Sequence, residues 1–212
     1  GGVAPPGSPA EAVLIRGAGL AAANGVYRLD AGGRRACGAP VYTRLSLDGA
    51  GEGAPLVLER RADVSRKTGL PRHGWMLLDG GSAALYGVRT EAAAVPSVGW
   101  RSFEGPEPPP TELRSASLAA LLLEEAGGAR GACEEAVARE DWRSAQEAAD
   151  RGLRALDAAG VRFGEDFEDL AAQLLTSRAA AGHRAGRARE ALRDAAAALS
   201  LLRGGGGRRV EA

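Results

Sequence analysis

The stretch LLTSRAAAGHRAGRAREALRDAAAALSL at 174–201 decides the fold of the second half of this chain. An earlier stretch, ARGACEEAVAREDWRSAQEAADRGLRAL at 129–156, matches it over 28 residues. Both are rich in alanine, leucine, glutamate and arginine, which favour helices. Small residues recur where the two helices of a hairpin would cross closely, and the equivalent Ala145 and Ala191 are 46 residues apart. The two copies predict a pair of helical hairpins within residues 115–203.

The pattern predicts four helices, at about 115–139, 141–158, 166–184 and 187–202. Asp141 can cap the free amide groups at the start of the second helix. Gly186 lies between the third and fourth helices, where a tight left-handed turn needs glycine. Short connections make the members of each pair antiparallel. A glycine run is expected to end the last helix and to leave 204–212 as a flexible tail.

Over residues 129–201 the sequence resembles the tetratricopeptide (TPR) repeat family, in particular the repeats of heat-shock co-chaperones. The resemblance implies a TPR-like helical domain that binds other proteins. The repeat length departs from the family, because the copies are 46 residues apart whereas TPR units are about 34 residues long. Co-chaperone repeats hold a C-terminal carboxylate with Lys and Asn side chains, and those places carry Arg130, Glu134 and Ser177 here. Only Arg130 keeps the charge, so we expect no chaperone binding through a carboxylate clamp.

The predicted partner-binding residues belong to the helical domain. They are Arg130, Glu134, Trp142, Arg178 and Arg184. Two copies are fewer than the three repeats that usually support a solenoid. We therefore expect the β-domain, the first half of the first helix or a partner to cover the open ends. The alternative interpretation is an alanine-rich four-helix bundle without a binding role.

The first half of the chain consists of short apolar runs separated by turn signals. The runs occupy 13–16, 25–29, 40–47, 55–60, 74–79, 83–88 and 99–100. Asn-Gly and Asp-Gly pairs between them are typical of hairpin turns, so residues 13–103 are predicted to form a small antiparallel β meander. Residues 1–12 are a Gly/Pro-rich flexible segment, and the proline-rich 104–114 is predicted to be a linker. The fold class is therefore α+β, built as two domains.

Five aromatic residues are spaced along the predicted sheet. They are Tyr27, Tyr42, Trp75, Tyr86 and Trp100. Each lies in an apolar run, which favours a buried core. The alternative is an exposed platform that binds a carbohydrate or a proline-rich peptide.

The order of the motifs GAG…NGVY, GAPVY, GWMLLD, ALYGV and GW between residues 17 and 100 is similar to an uncharacterised module of microalgal and other protist proteins. That module often stands beside interaction repeats, and the resemblance implies no particular activity. It suggests, as an alternative function, an accessory subunit of a microalgal photosystem or another organelle supercomplex. Because the chain starts at Gly1, we interpret it as a trimmed form and expect a chloroplast location, with the cytoplasm as the alternative.

Several classes of function lack the residues they need. The formal net charge is zero, which gives no support for a nucleic-acid footprint, and no apolar run reaches the roughly 18 residues of a membrane span. Peripheral association with a membrane stays open. Cys37 and Cys133 are too few for a disulfide framework or a zinc site. The stretch VLIRGAGLAA at 13–22 has the spacing of a dinucleotide-binding turn, but Asn24-Gly25 predicts a turn where the helix would have to run.

The sequence gives equally little evidence for a catalytic or a metal-binding site. Ser65, His73 and Asp79 form a candidate triad, but no nucleophile elbow or oxyanion loop accompanies them. His183 near a helix end and the acidic EDFED at 165–169 are explained by the helix dipole. We therefore predict no enzymatic activity, no cofactor and no metal. The predicted function is a non-enzymatic adaptor, or an accessory subunit of a larger complex, whose partners are other protein subunits.

Overall fold

The computed structural model describes residues 10–47, 55–64, 71–80, 83–159 and 165–206. The chain divides into two compact units, the first comprising 1–45 and 51–121 and the second 46–50 and 122–212. A curled antiparallel sheet is followed by four helices. This confirms the predicted fold class of a β-domain followed by a helical domain.

Strands fill most of the first unit. Among the described residues they are β1 (Ala12–Arg16), β2 (Gly25–Leu29), β3 (Arg35–Ala36), β4 (Ala39–Pro40), β5 (Tyr42–Arg44), β6 (Val57–Val64), β7 (Pro71–Asp79), β8 (Ala83–Arg89), β9 (Arg101–Ser102) and β10 (Glu112–Ala116). Strands β3 and β4 make a separate ribbon, and the others form one sheet in the order β10-β1-β2-β5-β6-β7-β8-β9. Apart from β10, neighbours in the sheet follow the order of the chain, as in the predicted meander.

The five spaced aromatic residues are buried in the core of this sheet. Tyr27, Trp75 and Tyr86 are wholly inaccessible, and Tyr42 and Trp100 nearly so. Four of them make hydrogen bonds inside the protein, as in the Tyr27 hydroxyl, which donates to Ala23 O at 2.8 Å, and Trp100 Nε1, which donates to Pro96 O at 2.9 Å. Burial raises the pKa of Tyr27. These five rings therefore form a core, and they are not the exposed platform considered as the alternative.

The predicted linker at 104–114 is instead part of the β unit. Gly19 N donates to Pro108 O at 2.7 Å, and the Tyr86 hydroxyl donates to Pro106 O at 2.7 Å. After the prolines, β10 pairs with β1 over its whole length. Proline lacks only the N–H group, so its carbonyl can still accept these bonds. The first helix consequently starts at Leu118 rather than near 115, and its first turn is capped by the Ser117 hydroxyl.

The four helices lie within a few residues of their predicted positions. They are α1 (Leu118–Ala138), α2 (Trp142–Ala159), α3 (Glu165–Arg184) and α4 (Ala188–Gly206). The predicted cap of α2 is present, because Ser144 N donates to Asp141 Oδ1 at 3.1 Å. A hydrogen bond from the Ser144 side chain, and then this backbone bond, lower the pKa of Asp141. The start of the glycine run is included in α4, and the rest of the predicted tail lies outside the described residues.

The two hairpins turn in the same way. In α1–α2, Asp141 N donates to Ala136 O at 2.9 Å and Glu140 N to Val137 O at 3.0 Å. In α3–α4, the residues 46 positions later repeat both bonds at 2.8 and 3.0 Å. This is the Schellman arrangement, which needs a left-handed residue after the helix. Glu140 (φ 57°) and Gly186 (φ 77°) are those residues.

A small residue of α2, Gly152, lets neighbouring helices approach closely. A methyl group added to Gly152 of α2 would lie 2.8 Å from Leu174 of α3 and 3.1 Å from Ala129 of α1. The equivalent residue of α4, Ala198, is also buried. Three helices therefore meet at Gly152, where no larger side chain fits without displacing its neighbours.

Candidate functional site

Helix α4 leaves a row of apolar side chains exposed. Leu192, Leu199 and Leu202 are 72%, 53% and 54% exposed. Their spacings of seven and three residues place them on one side of the helix. We call these three leucines the α4 stripe.

The equivalent positions of the first hairpin are covered. Gln146, Leu153 and Leu156 stand 46 residues before the α4 stripe, on α2. Gln146 and Leu156 are buried and Leu153 is partly buried. Helix α3 covers this side of α2. A methyl group added to Gly182 of α3 would lie 3.3 Å from Gln146 Nε2 of α2. The α4 stripe is thus the repeat of a surface that already holds a helix.

Arg178 ties three helices together. Its Nε and Nη2 atoms donate to the two carboxylate oxygens of Asp194 on α4 at 2.8 and 2.7 Å. Its Nη1 donates to Asp150 of α2 at 2.6 Å. The hydrogen bonds to Asp194 raise the pKa of Arg178 the most, and the hydrogen bond to Asp150 raises it further. Predicted as a partner-binding residue, Arg178 has all its charge-paired atoms directed inside the helical unit, so its geometry is that of an internal clamp.

Arg130 and Glu134 also make contacts within the helical unit. Arg130 Nη1 donates to Gln173 Oε1 at 2.7 Å, and its Nε lies 3.5 Å from Glu134 Oε1. At the third clamp position, Ser177 is hydrogen-bonded to the thiol of Cys133, whose pKa is raised by burial. The side chains at the three clamp positions therefore interact with other residues of the helical unit. Arg130 and Glu134 keep exposed atoms that could still meet a partner.

Trp142 and Arg184 are brought together from α2 and α3. The Arg184 guanidinium lies 5.9 Å from the centroid of the Trp142 ring. Such a cation–π contact is worth about 0.5–1 kcal/mol when it is exposed. The pair joins the start of one helix to the end of another, and both residues belong to the predicted set.

A groove of about 640 Å³ opens beside Arg178, between α2, α3 and α4. Its charged lining residues are balanced in sign: Arg143, Arg178, Arg187, Arg193, Glu147, Asp150, Glu190 and Asp194. Several of them are paired with each other, as in Arg143–Glu147 at 2.9 Å. A groove whose charges are neutralised internally favours no ligand of either sign.

The candidate triad does not assemble among the described residues. His73 Nδ1 lies 2.9 Å from Glu91 Oε2, and this hydrogen bond lowers the pKa of Glu91. Asp79 accepts a hydrogen bond from Ala83 N, and Ser65 lies outside the described residues. No group of three or more His, Cys, Asp or Glu residues that could hold a metal occurs in the described part of the chain. The side chains of Glu165 and Asp166 in the acidic cluster lie outside that part.

The glycines of the 13–22 stretch serve packing. Gly19 lies against the carbonyl oxygen of Glu107, and Gly17 against the side chain of Thr111. Asn24 Oδ1 accepts from Ala18 N at 2.9 Å, closing a loop that contains a single helical turn, Ala21–Ala23, before β2 begins. A pyrophosphate site needs a full helix N-terminus at this point, and the loop supplies none.

No protein-family model, curated protein or solved structure matches this chain. The resemblance to TPR repeats therefore stays a prediction. Within the described ranges, none of the helices is long and apolar enough to cross a membrane.

The sequence pattern alone did not single out Leu192 and Leu202 of the α4 stripe. Its leucines look like the buried side of an ordinary amphipathic helix, and only their equivalence to Gln146, Leu153 and Leu156 marks them as uncovered. The 46-residue register was the signal that could have found them.

Proposed function

We propose that this protein is a non-enzymatic interaction adaptor, or an accessory subunit of a larger assembly, and that α4 receives a helix from a partner protein. The observation that carries the proposal is the exposure of the α4 stripe. The equivalent side chains of the first hairpin lie on α2, and there α3 covers them. A partner helix would lie on α4 as α3 lies on α2.

The energetic argument comes from the exposed leucines. Full burial of a leucine side chain is worth about 1.5–3 kcal/mol. Leu192, Leu199 and Leu202 are each more than half exposed, so covering them would contribute several kcal/mol before the cost of association. Exposed apolar side chains are common singly, but three on one side of a helix favour a binding surface.

The charge beside the stripe indicates the chemistry of the partner helix. Arg189 lies three residues before Leu192, is exposed, and makes no ion pair among the described residues. A partner helix with an apolar face and a neighbouring acidic residue would complement this surface. Charges at the edge of an interface set its orientation more than its affinity.

The test is affinity isolation from the native extract, followed by native mass spectrometry of the recovered complex. The double variant Leu192→Ser/Leu199→Ser is expected to lose a stoichiometric partner that the unmodified chain retains. Glu190→Ser is the matched control, because Glu190 is exposed on another side of α4. Recovery of the same complex with the double variant, or recovery of the chain alone in every case, would refute the proposal.

A further inference from the structure

The sheet of the first unit has an incompletely paired edge at β8. Strand β8 runs to Arg89, but its pairing with β9 ends at Gly87↔Arg101. Gly99 has φ 88°, a left-handed conformation that suits glycine, and the chain before β9 leaves the strand there. Among the described strands, none therefore neighbours the last residues of β8 on this side.

Backbone groups at this edge are free to bind another strand. Phe103 N donates to Leu85 O at 2.9 Å, so every second residue of β8 from Leu85 directs its N–H and C=O towards this edge. Arg89 is the next such residue after Gly87. Within the described residues, its backbone N–H and C=O make no backbone hydrogen bond. An unpaired edge is a template for an extended peptide.

Apolar side chains surround the open edge. A groove of about 610 Å³ lies there, with Val88, Pro96, Val98 and Phe103 among its lining residues. Val98 is 74% exposed and Phe103 is 55% exposed. The Phe103 ring lies over Gly87, where an added methyl group would come within 2.8 Å of it. Apolar surface next to free backbone groups can hold alternate side chains of a bound strand.

The charged residues of the groove have one sign. Among the described residues that line it, Arg89 and Arg101 are the charged ones, and both are exposed. Neither side chain makes a hydrogen bond or an ion pair in the part of the chain that the structure describes. This groove differs from the balanced groove beside Arg178, because no acidic residue in the described part of the chain lines it.

We propose that the β8 edge binds an extended, acidic segment of a partner protein by strand addition. Backbone hydrogen bonds at Arg89 would hold the segment, its apolar side chains would contact Val98 and Phe103, and its carboxylates would meet Arg89 and Arg101. This site lies in the first unit and does not depend on the α4 stripe.

The test uses fluorescence anisotropy with synthetic peptides on the full chain. The probe is a short labelled peptide that alternates valine and glutamate, compared with the same peptide carrying lysine for glutamate. We expect the glutamate peptide to bind at least about tenfold more tightly. N-methylation of alternate peptide amides on the bonding edge is expected to abolish binding, because it removes the donors of the added strand.

Substitutions then locate the site. Arg89→Gln/Arg101→Gln is expected to weaken binding about fivefold to tenfold, and Val98→Ser/Phe103→Ser by a similar factor. Arg28→Gln is the control, because Arg28 is exposed on β2 and does not line the groove. Fluorescence of the buried Trp75 and Trp100 reports whether each variant is folded. If the serine variant is unfolded, hydrogen exchange of the unmodified chain takes its place. Addition of the glutamate peptide is then expected to slow exchange at the Arg89 amide.

Three results would overturn the inference. They are equal binding of the lysine peptide, undiminished binding of the N-methylated peptide, and binding of a short single-stranded oligonucleotide as tight as that of the glutamate peptide. The first and third would show that the arginines do not select an acidic peptide, and the second that no strand is added.

Discussion

The two helical hairpins are built alike but are covered differently. Both end their first helix in the same hydrogen-bonded turn, and both carry a small buried residue at the equivalent position of their second helix, Gly152 and Ala198. Helix α2 lies under α3, whereas the same side of α4 exposes three leucines. An exposed surface is therefore a candidate docking site when the equivalent surface of another hairpin in the same chain is already covered by a helix.

The largest expected effect is at the crossing in the covered hairpin. Gly152→Val should destabilise the protein by about 2–3 kcal/mol, because the side chain would collide with Leu174 and Ala129. Urea unfolding followed by far-UV circular dichroism measures this. Gly128→Ala is the control: nothing lies within 4 Å of an added methyl group, so the variant should gain about 0.5–1 kcal/mol from helix propensity. A neutral Gly152→Val would show that the crossing is not close-packed.

The next effect concerns the link between the hairpins. Arg178→Met should cost about 2 kcal/mol, since it leaves the mostly buried Asp194 without its partner. This is less than the roughly 3–5 kcal/mol lost when a fully buried ion pair is broken, because Arg178 and Asp150 are partly solvent-exposed. Arg193→Met, next to Asp194 on α4, should change the free energy of unfolding by less than about 0.5 kcal/mol. Equal effects of the two variants would contradict the clamp.

A smaller effect distinguishes the two turns. A residue other than glycine in the left-handed region costs about 1 kcal/mol, so Glu140→Gly should stabilise the first hairpin by about that amount. Gly186→Ala should destabilise the second by a similar amount. Both changes are measured as shifts in the urea midpoint at constant m-value. If Glu140→Gly destabilises the protein, the turns are not equivalent.

The smallest effect is a dependence on pH at the start of α2. The hydrogen bond from Ser144 lowers the pKa of Asp141. The stabilisation is therefore complete above the unfolded pKa of about 3.9 and is lost as the pH falls through the folded pKa. Asn caps as well as Asp but does not titrate. The stability of the unmodified chain relative to Asp141→Asn should therefore stay constant from about pH 7 to about pH 5 and decline as the pH falls below about 4. A difference that stays constant below about pH 4 would rule out this contribution.

Local signals in the sequence were enough for most of the fold. The Asn24-Gly25 turn and the alternating apolar runs predicted strands because both act over a few residues. Asp141 and Gly186 predicted helix ends for the same reason. Strand β10 was missed because proline density suggests a linker, whereas its pairing with β1 depends on residues about a hundred positions away.

The candidate site was less predictable. Arg178 could be proposed as a functional residue, but its partners Asp150 and Asp194 come from two other helices. An ion pair between two helices depends on how the helices pack, so its residues have no characteristic spacing in the sequence. The α4 stripe likewise required knowledge of which helix covers α2.

Hydrogen exchange on the isolated chain and on its purified native complex tests the central claim most directly. The docking of a partner helix on α4 predicts that amides of α4 gain protection in the complex, while those of α2 change little because α3 already covers them. If protection increases elsewhere and α4 exchanges at the same rate in both samples, the α4 stripe is not the docking surface.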